Sequence, residues 1–351
     1  MTGISRAKSD AQIFVIVYDK TVEATLRSRQ LDNVHIQRIE KVQDLYDKMV
    51  VAYRVRSAAR RFACDVLLTL NFFVPLVRVP QVVYHVDLER FEYHSLVPLS
   101  LHNVLEKLRD VSAKRALVNA SANAFESEFV MQAAKNYHSK ISIRNPLVIY
   151  IGIDDVAIVM SEDTSNRVDD GLVVSVTNPI EYKNNAALVP VLVELLRQEP
   201  GVNWRVRIFG GKDETVWSDL ISIAERAGVR ERLEFMGYKT REVLNASLDS
   251  AICEFNTSKL ESFCMVALEA MARGCPVIVG PESAMPESVG SAGLVIDPDD
   301  TDAVVNKILW LRSDLAARKD LKLRSVEWAS EMTWSQSGKA LLNLCEQMRR
   351  S

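Results

Sequence analysis

Short runs rich in Val and Ile alternate with helical stretches along the whole chain, and this alternation constrains its fold more than any other feature. The predicted strands cover 12–18, 34–39, 66–70, 81–85, 117–120 and 141–143, then 172–176, 205–209, 233–236, 251–255 and 276–279. Most are apolar on both faces, the pattern of parallel strands covered by helices on each side. The predicted helices cover 42–63, 101–114, 122–134, 186–198, 218–227, 266–273 and 301–311. Strands and helices in this order predict α/β architecture. At 351 residues the chain is long enough for two such domains.

The polar stretch 154–170 reads as a linker. The expected organisation is an N-terminal domain over 1–153, the linker, a C-terminal domain over 171–330 and a final segment over 331–351. Two doubly wound domains facing a cleft would place a ligand beyond the carboxyl ends of their strands. With 48% hydrophobic and 25% charged residues, the chain is not a disordered one. No apolar run approaches the roughly 20 residues of a membrane span, and the N-terminus lacks a signal-peptide core. Five scattered cysteines with no C-x-x-C pair argue against a disulfide framework or a zinc site, and for the cytoplasm. Residues 1–150 carry an excess of Lys and Arg and the remainder an excess of Asp and Glu, which reads either as a first half suited to an anionic surface or substrate or as surface charge that has drifted apart between two domains.

The most informative segment is 258–280, S-K-L-E-S-F-C-M-V-A-L-E-A-M-A-R-G-C-P-V-I-V-G. A strand leads into a loop holding Glu261. Ser262 is positioned to cap the following helix, Gly274 to end it, and Pro276 to open the next strand. A helix N-terminus there would suit a phosphate. Glu269, one turn inside the helix, would reach a sugar hydroxyl. Glutamates at this spacing are common by chance, and the surrounding residues make it informative. The segment resembles the E-x7-E donor-binding motif of the family-four retaining glycosyltransferases, which have the GT-B fold. Glu261-Ser262-Phe263-Cys264, Glu269-Ala270-Met271-Ala272, Gly274 and Pro276-Val277-Ile278 carry the likeness. It continues through 286–298, P-E-S-V-G-S-A-G-L-V-I-D-P, through Ile208-Phe209-Gly210-Gly211 and Gly237-Tyr238, and into Thr333-Trp334-Ser335. It covers residues 171–345 and is weaker before them.

The resemblance implies a nucleotide diphosphate sugar as donor and retention of configuration. Glu269 would bind the ribose. Glu261, with the amides of Ser262, Phe263 and Cys264, would hold the donor sugar, and Lys183 would balance the departing diphosphate. Asn178, Gly210, Gly211 and Tyr238 would lie around the nucleotide, and His85 and Asp87 would stand where the family has its His-Asp pair. The final helix would cross back to the first domain. No metal or other cofactor is implied. Asp297-Pro298-Asp299-Asp300 reads as a turn and helix cap rather than a D-x-D metal motif. The tail is closest to mannosyl- and rhamnosyltransferase members, which suggests GDP-mannose, with a saccharide or lipid-linked saccharide as acceptor. Nucleic acid is not an expected partner.

Three departures stand out. Asn178 occupies the family's arginine position, leaving one cation fewer at the diphosphate. His85 and Asp87 are separated by Val86. The opening Thr2-Gly3-Ile4-Ser5-Arg6 resembles the family's glycine turn, but no strand precedes it. The first domain would then be shortened at its first strand and helix, leaving an edge for a second copy or a partner subunit to complete. The helix over 42–63 interleaves Lys48, Arg54, Arg56, Arg60 and Arg61 with Met49, Val50, Val51, Tyr53, Val55 and Phe62. It reads either as an ordinary amphipathic helix or as a peripheral contact with anionic lipid on the cytosolic face of the membrane. Two functions stay open: an active transferase, or a degenerate GT-B protein that binds nucleotide or a partner transferase without transferring sugar itself. A phosphorylase-like chemistry would need a pyridoxal lysine site that the sequence does not offer.

Overall fold

The structure is a computed structural model and describes residues 13–17, 34–38, 45–70, 77–86, 111, 113–154 and 170–350. They group into two compact units, Met1–Gly152 with Trp334–Ser351, and Ile153–Thr333. The expected opening glycine turn, most of the expected helix 101–114 and residues 155–169 of the expected linker lie outside the described residues.

In the first unit, β1 (Ile13–Val17) pairs in parallel with β2 (Val34–Arg38). Helix α1 (Leu45–Arg61) precedes a four-stranded parallel sheet. The sheet holds β3 (Leu67–Leu70), β4 (Gln81–His85), β5 (Ala122–Phe125) and β6 (Pro146–Val148), in that order. Every residue of β4 and β5 is buried, as expected of inner parallel strands.

The structure corrects the sequence reading between β4 and β6. Residues 113–119 are helical rather than extended. Ala113, Ala116, Leu117 and Ala120 are all buried, and their spacing is that of a helix stripe. The Ala-rich stretch expected to open a helix at 122 begins instead with β5. Helix α2 (Glu128–Tyr137) follows it, capped by the Ser127 hydroxyl, which accepts from the Val130 amide. The strand expected at 141–143 lies at β6. What holds residues 122–125 in the sheet is Asn123, whose side-chain amide donates to the carbonyls of Leu117 at 3.0 Å and Arg144 at 2.9 Å. Arg144 is 21 residues away, so a local pattern cannot reveal the pair of contacts.

The second unit is built on a six-stranded parallel sheet. Its strands are β7 (Leu172–Val176), β8 (Arg205–Phe209), β9 (Leu233–Gly237), β10 (Cys253–Phe255), β11 (Val277–Val279) and β12 (Leu294–Val295). Their spatial order is β12-β11-β10-β7-β8-β9. Counted from β7, this is the doubly wound dinucleotide-fold order, in which the winding reverses between the first and fourth strands. The helices are α3 (Leu188–Gln198), α4 (Ser218–Arg226), α5 (Arg241–Ser250), α6 (Met265–Ala272), α7 (Met285–Val289), α8 (Thr301–Ser313) and α9 (Leu315–Glu331). Val173, Val206, Ile208, Cys253, Phe255 and Ile278 join α3, α4 and α8 in one apolar core. Leu172, Val174 and Val277 point to the opposite face by strand alternation and are also fully buried. Both faces are therefore covered.

Helices α5 and α9 were not expected. Their buried sides include Ser247 and Ser325, which blur an apolar stripe. The last helix, α10 (Trp334–Arg350), groups with the first unit. There the Ser337 hydroxyl donates to the Tyr150 carbonyl at 2.6 Å, and Arg349 approaches Asp65 at 3.6 Å. No helix among the described residues is long and apolar enough to cross a membrane.

Candidate functional site: the strand ends of the second unit

In a sheet of this order the crevice beyond the carboxyl ends of β7 and β10 is the expected ligand site. The structure brings Lys183 and Glu261 together there. β7 runs into a turn containing two short 3-10 helices, Glu181–Lys183 and Asn185–Ala187, joined at Asn184. Asn184 adopts the left-handed conformation at φ 49°, which Asn tolerates better than most residues. The Lys183 ammonium donates to Glu261 Oε1 at 2.6 Å. The two side chains are 17% and 16% exposed, shielded but still reached by solvent.

The loop after β10 is built to hold Glu261. The Asn256 side-chain oxygen accepts from the Ser258 amide at 2.9 Å. The Ser258 hydroxyl donates to Glu261 Oε1 at 2.8 Å. The Glu261 amide donates to the Ser283 hydroxyl at 3.0 Å, and its carbonyl accepts from the Ala284 amide at 3.2 Å. Two further bonds tie this loop to the β7 turn. The Thr257 hydroxyl donates to the Lys183 carbonyl at 2.7 Å, and the Lys259 amide to the Tyr182 carbonyl at 2.9 Å. Sequence reasoning found Lys183 and Glu261 but missed Ser258, Thr257 and Ser283, because hydroxyls in loops carry no distinctive pattern.

Helix α6 begins at Met265 with Cys264 as its cap residue, and no side chain caps it. Ser262 is therefore not the cap that the sequence suggested. Phe263 and Cys264 are buried, and Asn256 donates to the Cys264 sulfur at 3.3 Å. The other end follows the sequence reading. Gly274 takes φ +67°, its amide bonds the Met271 carbonyl at 2.8 Å, and the Cys275 amide bonds the Ala270 carbonyl at 3.0 Å. That is the Schellman closure. Glu269 accepts from Arg241 at the start of α5, at 2.9 Å, with the arginine 57% exposed. Arg241 has no counterpart in the sequence reading.

A second cluster forms at the ends of β7, β8 and β9. The Asn178 side-chain oxygen accepts from the Gly211 amide at 3.2 Å and lies 3.5 Å from the Tyr238 hydroxyl. The Gly210 amide donates to the Gly237 carbonyl at 3.1 Å. Gly210 sits at φ +114°, and a Cβ there would lie 1.8 Å from the Thr177 carbonyl oxygen, so only glycine fits. Tyr238 is 71% exposed, with Val216 and Ile180 also exposed. Lys212 is exposed beside Gly211.

Asp297 and Asp300 form the expected turn and cap. The Asp300 amide donates to the Asp297 carbonyl at 3.0 Å, and the Asp300 carboxylate accepts from the Ala303 amide at 3.0 Å. Among the described residues no three or more His, Cys, Asp or Glu side chains converge as metal ligands would.

His85 requires a correction. It ends β4 in the first unit and is fully buried. Its Nε2 donates to the Asn123 side-chain oxygen at 2.9 Å, an oxygen fixed as acceptor because the Asn123 amide donates elsewhere. The ring stacks on Phe125 at 4.7 Å. Burial holds its pKa at about 4, against the opposing bond to Asn123. It is a neutral core histidine with no surface for substrate. Asp87 lies outside the described residues.

Glu254 is the group that sequence reasoning missed most. It is the one charged residue of β10, fully buried, and neither carboxyl oxygen bonds another side chain. A glutamate inside A-I-C-E-F was the visible signal.

With this geometry in hand, similarity to known proteins is informative. Residues 160–328 match the profile of the glycosyl transferases group 1 family. That stretch, just under half of the chain, is similar to this family. The O-antigen chain mannosyltransferase B of Escherichia coli is 34% identical over 126 residues, covering 36% of this chain and 32% of that protein. A D-inositol 3-phosphate glycosyltransferase of Corynebacterium efficiens is 29% identical over 167 residues, covering 46% of this chain and 39% of the relative. The chain thus matches about a third to two-fifths of the length of these curated relatives. The sucrose-phosphate synthase of Thermosynechococcus elongatus superposes with a TM-score of 0.73 at 17% identity, over 99% of this chain and 91% of that one. The fold is GT-B.

Proposed function

We propose that the protein is a retaining glycosyltransferase that moves a hexose from a nucleoside diphosphate to a saccharide or lipid-linked saccharide. The observation that carries this reading is the Lys183–Glu261 pair, 2.6 Å long and about one-sixth exposed, at the switch point of a group 1 glycosyltransferase domain. A pair serving stability alone gains little from such a position, since removing charges from water offsets much of their attraction. A pair that must open when an anion arrives is well served by partial access.

In this reading Lys183 leaves Glu261 to balance the diphosphate. Glu261, held by Ser258 and by its own backbone contacts, accepts hydroxyls of the donor sugar. Glu269 accepts the ribose hydroxyls beside or in exchange for Arg241. The edge formed by Tyr238, Gly211 and Asn178 receives the nucleoside. The bond from the anomeric carbon to phosphate breaks while the acceptor oxygen bonds on the same face. The acceptor proton passes to the departing phosphate oxygen, so no dedicated base is needed. Neither is a metal, since side chains and backbone amides meet the phosphates. Exposed Lys212 supplies the cation that Asn178 does not. GDP-mannose is the first donor to try, supported by the mannosyltransferase among the relatives. The reaction belongs to the cytoplasm. Tyr53, Arg54, Arg56, Arg60 and Arg61, the exposed side of α1, would meet an anionic membrane carrying the acceptor.

Asn178 supports a second reading, a nucleotide-binding partner of an active transferase, because its side chain is spent on the Gly211 amide. One experiment separates the two. Thermal unfolding is followed with GDP, UDP, ADP and dTDP, on wild type and Glu269→Ala, and the stabilising nucleotide's sugars are then offered with saccharide acceptors. A ligand at about 100 times its Kd stabilises the fold by ~2.7 kcal/mol. Stabilisation lost in the variant, followed by sugar transfer, supports the enzyme. Stabilisation without transfer or donor hydrolysis supports the second reading. No stabilisation by any nucleotide rejects both.

A further inference from the structure

Glu254 lies beneath the donor loop. Its neighbours Cys253 and Phe255 face the apolar core with α3 and α8, so alternation turns Glu254 to the other side of the sheet. Asn256, two residues on and on that same side, reaches Cys264 at the start of α6 and accepts from Ser258. Ser258 in turn holds Glu261. On either side in the sheet Glu254 is flanked by Val174 and Val277, which offer it no polar side chain. A buried carboxyl with no side-chain partner is costly whenever it is charged, and such groups in native proteins call for an explanation.

The charged groups whose fields reach it are Lys183, from the turn after β7, and Glu261, from the loop before α6. Three thiols also share its surroundings: Cys253 on its own strand, Cys264 at the start of α6 and Cys275 before β11. Burial pushes all three up, away from ionising near neutrality.

We infer that Glu254 is a positioning residue of the donor site, a carboxyl that must stay protonated beneath the Lys183–Glu261 pair for a nucleoside diphosphate to bind. The inference rests on the donor-site reading above. With Glu254 neutral, the pair has no net charge and Lys183 is free to exchange Glu261 for phosphate. With Glu254 ionised, the site is net negative, and Lys183 is drawn by two carboxylates as the anion approaches. Burial, with the charge of Glu261 adding to it, raises this carboxyl to about 8, against the pull of the Val176 amide and Lys183. Donor binding should therefore take up a proton on the alkaline side of neutrality.

The test is calorimetric titration of the full chain with GDP, UDP and ADP at pH 7 and pH 9, in wild type and Glu254→Gln. Wild-type affinity should fall about tenfold between the two, the loss expected one unit above the titration. The Gln variant should match wild type at pH 7 and keep its affinity at pH 9. An equal fall in both proteins overturns the inference while leaving the donor site standing. No binding by wild type at pH 7 overturns the donor-site reading and this inference with it. If the variant does not fold, wild type in two buffers of different ionisation heat decides at pH 8.5. Uptake of most of a proton per nucleotide supports the inference, and no uptake overturns it. Thermal unfolding without nucleotide supplies an independent reading. A carboxyl raised in the folded state loses stability as pH rises from its unfolded value to its folded one. The melting temperature of Glu254→Gln should therefore gain on wild type from pH 5 to 8, and parallel curves would count against a neutral buried Glu254.

Discussion

Polar side chains gather at the carboxyl ends of inner strands in both parallel sheets, and the two clusters are built differently. At the end of β4, His85 is fully buried, hydrogen-bonded to Asn123 and stacked on Phe125. At the ends of β7 and β10, Lys183 and Glu261 are joined but about one-sixth exposed, on loops stitched by Ser258, Thr257 and Ser283. The first cluster is closed, its ring enclosed by protein and bonded to an acceptor that is itself fixed by two backbone carbonyls. The second keeps its charges where an incoming anion can compete for them. A polar residue at a strand end is therefore not enough to mark a site. The distinction lies in whether its partners can be exchanged without opening the core.

The sharpest break in this comparison comes from the neighbouring strand ends of the second unit, where Gly210 packs on the Thr177 backbone beside Asn178. Gly210→Ala sets a Cβ against the Thr177 carbonyl oxygen at 1.8 Å, with φ at +114°. It should destabilise by more than ~3 kcal/mol, because clash and backbone strain add. Urea unfolding checks this, and a loss below ~1 kcal/mol would mean that this packing yields.

Next in size, Glu261→Ala should reduce kcat/KM for sugar transfer by at least about 100-fold, or ~2.7 kcal/mol of transition-state stabilisation. The midpoint of unfolding should move little. Retained activity would remove Glu261 from the donor site and erase the contrast with His85.

His85→Gln inverts that pattern. Transfer should survive while stability falls by about 1–3 kcal/mol, from disturbed packing and a strained bond to Asn123. The pH response sharpens the point. His85 is held at about 4 in the fold against roughly 6.5 unfolded. The unfolded chain therefore binds more protons between these values, and wild-type stability falls as pH drops from about 6.5 to 4, by up to about 3 kcal/mol. Urea titrations across that window should show a shallower slope in the variant. Lost activity at full stability would return His85 to the catalytic residues.

The smallest effect is expected at Lys259 and Asp299, an ion pair with side chains 45% and 49% exposed. Lys259→Ala should change stability by less than ~1 kcal/mol and transfer not at all, measured by the same two assays. A clear loss of transfer would extend the donor site to this pair.

Much of the second unit was legible in the sequence. Five of its six strands and helices α3, α4, α6 and α8 follow from Val- and Ile-rich runs and an apolar stripe. Those signals are local and survive without a partner. Gly274 announced the end of α6 for the same reason, since a left-handed residue closing a helix is a local requirement. Lys183, Glu261 and Glu269 were singled out through the family resemblance. Strand β5 and the helical stretch before it were misread, because Asn123 is held by the Leu117 and Arg144 carbonyls, and no window contains all three. Helices α5 and α9 were missed because serines interrupt their buried faces.

The sequence by itself determined the class of the fold and the order of most elements of the second unit, because these depend on periodicity and on residues fixed by local backbone geometry. The tertiary structure alone decided which polar residues face an exchangeable environment. It buried His85, joined Lys183 to Glu261 across 78 positions, set Arg241 on Glu269 and left Glu254 buried with no side-chain partner. Burial and pairing are sums over neighbours that the chain brings together only on folding, and no stretch of sequence contains them.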